Sequence, residues 1–525
     1  RPDWCISRQR SWGVPIPAFY DAKGEAILHK DVICNVADLI EKHGSNIWFE
    51  KSAAELWSLV KPKNWNGAEA VAKSSDTLDV WIDSGSSSRA VLMRRQELLK
   101  SEIGNRKSEM GWQADMYLEG SDQHRGWFQS SLLLSLAGNG AAPFKTVLTH
   151  GFMVDADREK ISKSKQSGYE KPQTAEAYVK KWGADVVRLW VASQDFRNDI
   201  VVSEERINKV GETYRAIRNA LRYQLSNLYD FDPAKHSVAD DKLTGLDRWI
   251  LGEFSKLEKE VIAAYDQFEF HVVYQKISQF IAVELSSIYH DVIKDRLYTD
   301  AANSHRRRST QTALHKLVTG LCQMLAPILA FTADEALEFV AGKNVNSVHE
   351  ANWQPKEFVL SEAERNRWSC NLDQREWLLP KLEQARQNKV IGKSLDAKIT
   401  IRVHAQKSKD KDANVPQFFR FTFGNNHYFV KKSQLTSEAN EDLREILNVS
   451  QLEFEEFFPE PEITLQELTP RPGIEYFSLR HADGKKCERC WHWETDIGQN
   501  AEHPTICGRC VEAVKQFQLN NKETK

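Results

Sequence analysis

The stretch Met116-Tyr-Leu-Glu-Gly-Ser-Asp-Gln-His-Arg-Gly-Trp127 joins a short apolar segment to a polar turn and then to an apolar run that reaches Ala137. A second strand-like segment, residues 146–150, follows that run, and a third, residues 78–82, precedes it. Strands that alternate with helices predict a parallel α/β sheet. Because functional side chains of such sheets lie in loops after the strands, the polar turn from Glu119 onward is a candidate site.

Length and composition describe a multidomain globular protein. With 525 residues the chain is too long for one core, so three or four domains are expected. A hydrophobic content of 41% with 28% charged residues is typical of globular proteins, and a mean hydropathy of -0.54 without a long uncharged apolar run excludes a transmembrane span. The net charge of -3 means that any nucleic acid would be bound by local basic stripes.

Two tight cysteine pairs near the end of the chain predict a metal site. Cys487-x2-Cys490 and Cys507-x2-Cys510 are separated by 16 residues, the spacing of a four-thiolate structural zinc site. The alternative is a redox dithiol, which two pairs without a thioredoxin-like context disfavour. The remaining cysteines are scattered singly, as expected in a reducing cytosol: Cys5, Cys34, Cys322 and Cys370.

A long stretch from about residue 204 to 337 has helical periodicity. Its apolar residues recur three and four apart, which predicts the core of a helical bundle. The clearest stripe consists of Val273, Ile277, Phe280, Ile281, Leu285, Ile288, Val292 and Ile293.

The pentapeptide Lys160-Ile-Ser-Lys-Ser164 follows the segment at residues 146–150. Two lysines that flank a serine suit a polyphosphate, because each ammonium is a mobile point charge. The alternative is a solvated polar loop. Similarly, the turn after Glu119 either holds a ligand through its acidic and amide groups or is a plain turn in which Asp122 caps a helix.

Residues 160–164 resemble the KMSKS signature of class I aminoacyl-tRNA synthetases, with Ile161 in place of methionine. Further segments resemble the isoleucyl branch of this family and occur in the family's order. They are Leu78-Asp-Val-Trp-Ile-Asp-Ser-Gly85, residues 119–128, Thr149-His-Gly-Phe152, Gly183-Ala-Asp-Val-Val-Arg-Leu-Trp190, Ile293-Lys-Asp-Arg-Leu-Tyr298, Ala326-Pro-Ile-Leu-Ala-Phe-Thr-Ala-Asp-Glu335 and the cysteine pairs.

The resemblance implies a multidomain fold with an α/β Rossmann-like catalytic half, an α-helical anticodon-binding bundle, a small α+β junction and a C-terminal zinc ribbon. The expected boundaries are 1–75 for a connector at the exit of an editing insert, 76–203 for the catalytic half, 204–355 for the bundle, 356–480 for the junction and 481–525 for the ribbon. The family's HIGH signature does not occur, so we expect a C-terminal fragment that is inactive alone.

The implied reaction makes isoleucyl-adenylate from isoleucine and Mg-ATP and then transfers the aminoacyl group to the isoleucine tRNA. By resemblance, Lys163 would bind the ATP phosphates with help from Lys160. In-line attack on a phosphate depends mainly on positioning and charge neutralisation, which suits two lysines. A cytoplasmic monomer without membrane contact and with one structural zinc ion is expected.

The resemblance also assigns the aminoacyl pocket. Glu119 would hold the aminoacyl-adenylate, Asp122 and Gln123 would line the same pocket and contact ATP, and Trp127 and Trp81 would bound the isoleucine side chain. The alternatives are a ligase for valine, leucine or methionine and a non-catalytic RNA-binding protein. The segment around Glu119 and the cysteine pairs favour the isoleucyl branch over the first, and the retained lysines disfavour the second.

Basic residues of the helical region are candidates for tRNA contact. Arg215, Arg218 and Arg222 fall three and four apart on one helix face, and residues 306–308 are three consecutive arginines. Both clusters either neutralise tRNA phosphates or are solvated charges paired with Glu204, Glu205 and Glu212.

Overall fold

The computed structural model describes residues 4–98, 111–154, 174–406, 418–423, 426–431, 437–457 and 477–523. The chain divides into two compact units, residues 1–165 with 196–201, and residues 166–195 with 202–525. No helix among these described residues is long and apolar enough to cross a membrane.

The first part of unit one, which the sequence analysis assigned to a connector, contains a hydrophobic core cluster. Phe19 is fully buried, and the rings of Trp48 and Trp57 meet it edge-on at centroid distances of 5.1 and 5.2 Å. The elements of this part are β1 (Ser7–Arg8), β2 (Phe19–Tyr20), β3 (Ala26–Ile27), α1 (Lys30–His43), α2 (Ile47–Glu50), α3 (Ala53–Val60) and β4 (Ala72–Lys73).

The second part of unit one has the predicted strand–helix–strand order. It comprises β5 (Thr77–Leu78), α4 (Val80–Gly85), β6 (Ala114–Gly120), α5 (Trp127–Asn139), β7 (Phe144–His150), β8 (Met153–Val154) and β9 (Ile200–Val201). Strands β6 and β7 are parallel neighbours, as predicted. The prediction of a strand at residues 78–82 is wrong beyond Leu78, because the Asp79 side chain accepts a hydrogen bond from the Trp81 amide and starts a helix there.

Helix α5 is present as predicted, but serines rather than leucines form its buried face. Ser130, Ser131 and Ser135 are buried, whereas Leu133 and Leu136 are about half exposed. The small side chains let α4 approach closely: a Cβ at Gly85 would lie 2.9 Å from the Ser130 backbone. Each buried serine hydroxyl donates to a carbonyl oxygen, so no hydroxyl on this face is left without a partner.

Unit two begins with a helical bundle, as the periodicity predicted, and every residue of the apolar stripe at 273–293 is buried. A π-helical segment, Ile281–Tyr289, continues from α11. The helices are α6 (Ala175–Trp182), α7 (Ala184–Ala192), α8 (Glu204–Ser226), α9 (Pro233–His236), α10 (Gly245–Asp266), α11 (Phe270–Phe280), α12 (His290–Val292), α13 (Lys294–Thr299), α14 (His305–Leu325) and α15 (Ala330–Glu338).

The three consecutive arginines at the start of α14 form ion pairs within the fold, which favours a structural role over phosphate binding. Arg307 and Arg308 are 4% and 8% exposed, and both pair with Asp230. Arg306 pairs with Asp295 and Asp300. A buried guanidinium needs a carboxylate partner, and these arginines already have theirs.

The rest of unit two is a mixed sheet with two helices, followed by the cysteine-rich segment. Strand β10 pairs in parallel with β13 and antiparallel with β11 and β14. The elements are α16 (Glu362–Gln387), β10 (Ala397–Gln406), β11 (Phe418–Phe423), β12 (Asn426–Lys431), α17 (Ser437–Leu447), β13 (Gln451–Phe457), β14 (Phe477–His481), β15 (Lys485–Lys486), β16 (Trp493–Glu494) and α18 (Gly508–Glu523).

A buried carboxyl in α10 should make the bundle's stability depend on pH. Glu258 is 7% exposed, and burial raises the pKa of its carboxyl from 4.5 to about 7. The folded protein therefore binds more protons than the unfolded chain between these pH values, and its free energy of unfolding falls as pH rises through them. Glu258→Gln should raise the Tm at pH 8 and change it little at pH 4.5, with a gain of up to roughly 3 kcal/mol at pH 8.

Glu260→Gln is the matched control, since Glu260 is an exposed residue of the same helix that pairs with Lys276. Its Tm should not show the pH-dependent gain. Equal Tm changes for Glu258→Gln at both pH values would contradict the prediction.

Candidate active site and metal centre

The candidate site in unit one lies where β6 and β7 end side by side. The parallel register places Glu119 beside Thr149 and Gly120 beside His150. Gly120 leaves room for the Asp122 side chain, since a Cβ on residue 120 would lie 2.8 Å from a carboxylate oxygen of Asp122. The carboxyl edge of the sheet thus brings the two predicted acidic residues to one place, with both side chains exposed to solvent.

Two tryptophans and a glutamine converge at the start of α5. The Trp127 indole N–H donates to the Ser84 carbonyl at 2.9 Å, and its backbone N–H donates to the Gln123 Oε1 at 3.0 Å. Trp81 packs against the same turn, since a Cβ at Gly126 would lie 2.9 Å from its ring. The structure therefore brings Trp81, which is distant in sequence, next to Gln123 and Trp127, which lie on neighbouring turns of the chain.

Tyr117 and Asp79 support this arrangement and were not selected from the sequence. The Tyr117 ring stacks on Trp127 at 4.1 Å with an interplanar angle of 11°. Asp79, 4% exposed, caps α4 and accepts hydrogen bonds from the Trp4 indole at 3.2 Å and from Arg8. The sequence signal for Asp79 as a helix cap was its position directly before the apolar residues that form the first turn of α4.

The loop after β7 is fixed by close backbone contact. Gly151 donates to the Phe196 carbonyl at 2.8 Å, and a Cβ on it would lie 2.4 Å from the Asn198 carbonyl oxygen, so only glycine fits. The predicted phosphate ligands Lys160 and Lys163 lie outside the described residues.

The candidate site combines hydrogen-bond acceptors with the aromatic side chains of two tryptophans. Glu119 and Asp122 supply carboxylate oxygens that would accept from an ammonium or from hydroxyl groups, and the Gln123 amide both donates and accepts. Trp81 and Trp127 supply flat apolar surface beside these polar groups. The arrangement is chemically suited to a small molecule with an amine, hydroxyl groups and an apolar side chain.

The three candidate arginines of α8 differ in their pairing. Arg218 lies 3.6 Å from Glu335, whereas Arg215 and Arg222 are exposed and have no carboxylate partner in the described part of the chain. Glu204 pairs with Lys181 instead. Two cations on this helix face are thus available to an anionic ligand.

The four cysteines of the two pairs form one buried cluster in which all the Sγ atoms lie within 4.8 Å of one another. Tetrahedral zinc with Zn–S bonds of about 2.3 Å would hold its sulfurs about 3.8 Å apart. The Cys490 and Cys507 Sγ atoms are 3.8 Å apart. The four residues, Cys487, Cys490, Cys507 and Cys510, fit a structural zinc site that leaves no open position for water.

Two arginines surround this cluster and join it to the bundle. Arg489 donates to the Cys510 Sγ at 3.5 Å and to the Thr299 carbonyl. Arg509 forms two hydrogen bonds with the Asp295 carboxylate, at 2.5 and 2.9 Å. Burial alone would raise the pKa of Asp295, but Arg509 outweighs that effect and holds it at about 2. Four thiolates around a divalent ion would leave two negative charges, and the Arg489 guanidinium beside Cys510 would offset part of them.

Zinc should be required for the fold of this segment. One zinc ion per chain is expected, and Cys507→Ser should lose it. Zn–S bonding supplies on the order of 10 kcal/mol at such sites, so residues 482–514 should lose hydrogen-exchange protection in the variant while α14 keeps its own. Elemental analysis and hydrogen exchange read by mass spectrometry measure both effects.

Cys34→Ser is the control, because Cys34 is an exposed free thiol in unit one. It should keep the zinc and the protection. A metal-free protein with a protected cysteine segment would disprove the requirement.

Comparison with known proteins places this geometry in one family. The model of tRNA synthetases class I (I, L, M and V) matches residues 1–203, that of the anticodon-binding domain of tRNA ligase matches 247–401, and that of the zinc finger found in FPG and IleRS matches 484–513. The model of the anticodon-binding domain and that of the zinc finger both fall in unit two.

Full-length relatives agree with these models. The isoleucine–tRNA ligase of Moorella thermoacetica is 41% identical over 524 residues, which are 99% of this chain and 52% of that protein. That of Syntrophomonas wolfei is 42% identical over 523 residues, with the same coverage. Agrobacterium radiobacter K84 agnB2 LeuRS, solved in a ternary complex, aligns at 15% identity and a TM-score of 0.46 over 83% of this chain and 46% of its own, so the assignment rests on the sequence comparisons. The chain spans about half the length of the curated relatives it matches, and it belongs to the isoleucine–tRNA ligase family of class I tRNA synthetases.

Proposed function

We propose that the protein containing this chain attaches isoleucine to its tRNA through an isoleucyl-adenylate made from Mg-ATP. The observation that carries the proposal is the 41% identity to isoleucine–tRNA ligases over 99% of the chain. The four-cysteine site supports the isoleucyl branch over the valyl, leucyl and methionyl branches, because the matching family is described as a zinc finger found in FPG and IleRS.

The aminoacyl end of the adenylate would lie at the carboxyl edge of β6 and β7. Glu119 would accept hydrogen bonds from the ammonium group, and Asp122 and Gln123 would hold the ribose and adenine side. Trp81 and Trp127 would bound the isoleucine side chain. Their convergence on the Gly126 turn supports this assignment, since apolar surface and hydrogen-bond acceptors stand side by side there.

Lys160 and Lys163 would neutralise the triphosphate that accompanies Mg²⁺. Their charges matter most in the transition state, where negative charge builds up on the departing pyrophosphate, so they should affect rate more than affinity. The proposal for these two lysines rests on the motif, as they lie outside the described residues.

The bundle and the ribbon would bind the tRNA. Arg215 and Arg222, which have no carboxylate partner among the described residues, support a contact with phosphates, and the zinc segment is held to α13 by Arg489 and Arg509. A cytoplasmic location and a monomeric state remain predictions. The free thiols of Cys5 and Cys34 favour a reducing compartment.

The first test is Lys163→Ala in the natural protein that contains this chain. Isoleucine-dependent pyrophosphate exchange should fall at least about 100-fold, because one charge that stabilises the transition state is removed, while tRNA affinity stays nearly unchanged. Lys145→Ala is the control, since Lys145 is an exposed lysine of β7 that pairs with Asp115. An exchange rate within a few fold of the parent's would refute the role of Lys163.

The second test is tRNA binding by residues 1–525. Affinity for isoleucine tRNA should fall more than about tenfold between about 50 and about 200 mM salt, because phosphate contacts release counterions. Arg215→Gln should reduce the slope of log K against log salt by about 1. Lys235→Gln, which alters an exposed lysine paired with Asp232, should leave the slope unchanged. Salt-independent binding would contradict the proposal.

A further inference from the structure

Tyr117 covers one face of Trp127, one of the two tryptophans of the candidate active site. The Tyr117 side chain is 4% exposed, and its ring stacks on the indole at a centroid distance of 4.1 Å with an interplanar angle of 11°. Stacked aromatic rings attract each other beyond the area that they bury. A substrate can therefore contact only the edge or the other face of the Trp127 indole.

The hydrogen bonds of Trp127 leave its ring one degree of freedom. The indole N–H donates to the Ser84 carbonyl of α4 at 2.9 Å, and the backbone N–H donates to the Gln123 Oε1 at 3.0 Å. These bonds hold one edge of the ring and the start of α5, but neither prevents the ring from tilting about that edge. The stack on Tyr117 does, because a tilt would separate two surfaces whose attraction falls steeply with distance.

Strand β6 connects this stack to the candidate ligand of the ammonium group. Tyr117 and Glu119 are two residues apart on β6, so their side chains leave the same face of the strand from Cα atoms about 7 Å apart. The Tyr117 ring is itself enclosed, since the rings of Phe128 and Phe144 lie 6.3 and 4.8 Å from its centroid. One strand thus sets the distance between a carboxylate that would accept from the ammonium and the ring that would bound the side chain.

We propose that Tyr117 is a positioning residue that sets the depth of the isoleucine pocket, and with it the selectivity for isoleucine over valine. It acts through the Trp127 ring and touches no substrate itself. The inference rests on the proposed function and deepens it, since it concerns the same site. Isoleucine has one methylene more than valine, and that group contributes to selectivity only where apolar surface is held against it.

The experiment measures pyrophosphate exchange by the natural protein that contains this chain, without tRNA, with isoleucine and valine titrated separately. Tyr117→Leu removes the flat ring and keeps an apolar side chain. It should raise the KM for isoleucine while kcat stays within a few fold of the parent's, because the lost contact is equal in the ground state and the transition state. The ratio of kcat/KM for isoleucine to that for valine should fall at least about fourfold, the contribution of one buried methylene.

Two variants control for the hydroxyl and for packing in general. Tyr117→Phe keeps the ring and should keep the parent's ratio. Phe144→Leu should also keep it, because it removes a ring that packs against Tyr117 without being part of the stack on Trp127. If Tyr117→Leu shows no cooperative thermal unfolding, Tyr117→Met takes its place and should give the same fall, since its flexible side chain fills the space without a flat face.

A merely structural role of Tyr117 would lower kcat/KM for both amino acids by the same factor. An unchanged ratio in the folded leucine or methionine variant would therefore overturn the proposal. An equal fall of the ratio in Tyr117→Phe or Phe144→Leu would also overturn it, because the effect would then belong to the hydroxyl or to packing in general. Each of these results leaves the proposed function intact. If the parent protein shows no isoleucine-dependent exchange, the proposed function fails and the role of Tyr117 fails with it.

Discussion

The organisation of unit two depends on one buried charge, the guanidinium of Arg296. This side chain is 2% exposed and pairs with Asp247 on α10 and Glu445 on α17. Asp247 also accepts from the Tyr289 hydroxyl at 2.7 Å. An unpaired charge at this depth would cost several kcal/mol. Helices α10 and α17 must therefore be placed so that both of their carboxylates reach Arg296 on α13. The buried pair therefore specifies how the bundle and the mixed sheet fit together, whatever its net contribution to stability.

The same helix extends the network to the zinc segment. Asp295, which precedes Arg296, binds both Arg306 of α14 and Arg509 of α18, so carboxylates on one short helix connect the bundle to the residues around the cysteines. Arg489, which donates to the Cys510 Sγ, would offset part of the negative charge of a thiolate-bound zinc ion. Loss of the metal would leave these two arginines beside altered thiols, and the contact with α13 would weaken with the ribbon.

The sequence predicted those features that depend on periodicity or fixed spacing. The stripe from Val273 to Ile293 and the two cysteine pairs are of this kind, because helical repeat and tetrahedral coordination each leave a regular trace. The helix that begins at Val80 was missed because a short apolar run such as residues 78–82 is compatible with either a strand or a helix. The Asp79 side chain, which caps the helix, decides in favour of the helix. Likewise, the serine face of α5 contradicts simple apolar patterning, since close approach of α4 at Gly85 requires small residues.

The arginines show why charge in a sequence does not predict ligand binding. Arg306, Arg307 and Arg308 form the densest basic cluster, yet each has carboxylate partners, because the fold places Asp230, Asp295 and Asp300 around the start of α14. The more dispersed Arg215 and Arg222 are exposed and have no carboxylate partner in the parts of the chain that the structure describes. The difference comes from long-range contacts, Asp230 and Arg307 being 77 positions apart, which no local pattern records. Moreover, the guanidinium of the buried Arg307 lies 6.0 Å from the centroid of the exposed Tyr229 ring, so even an arginine that is paired inside the fold adds positive charge beside a surface aromatic side chain.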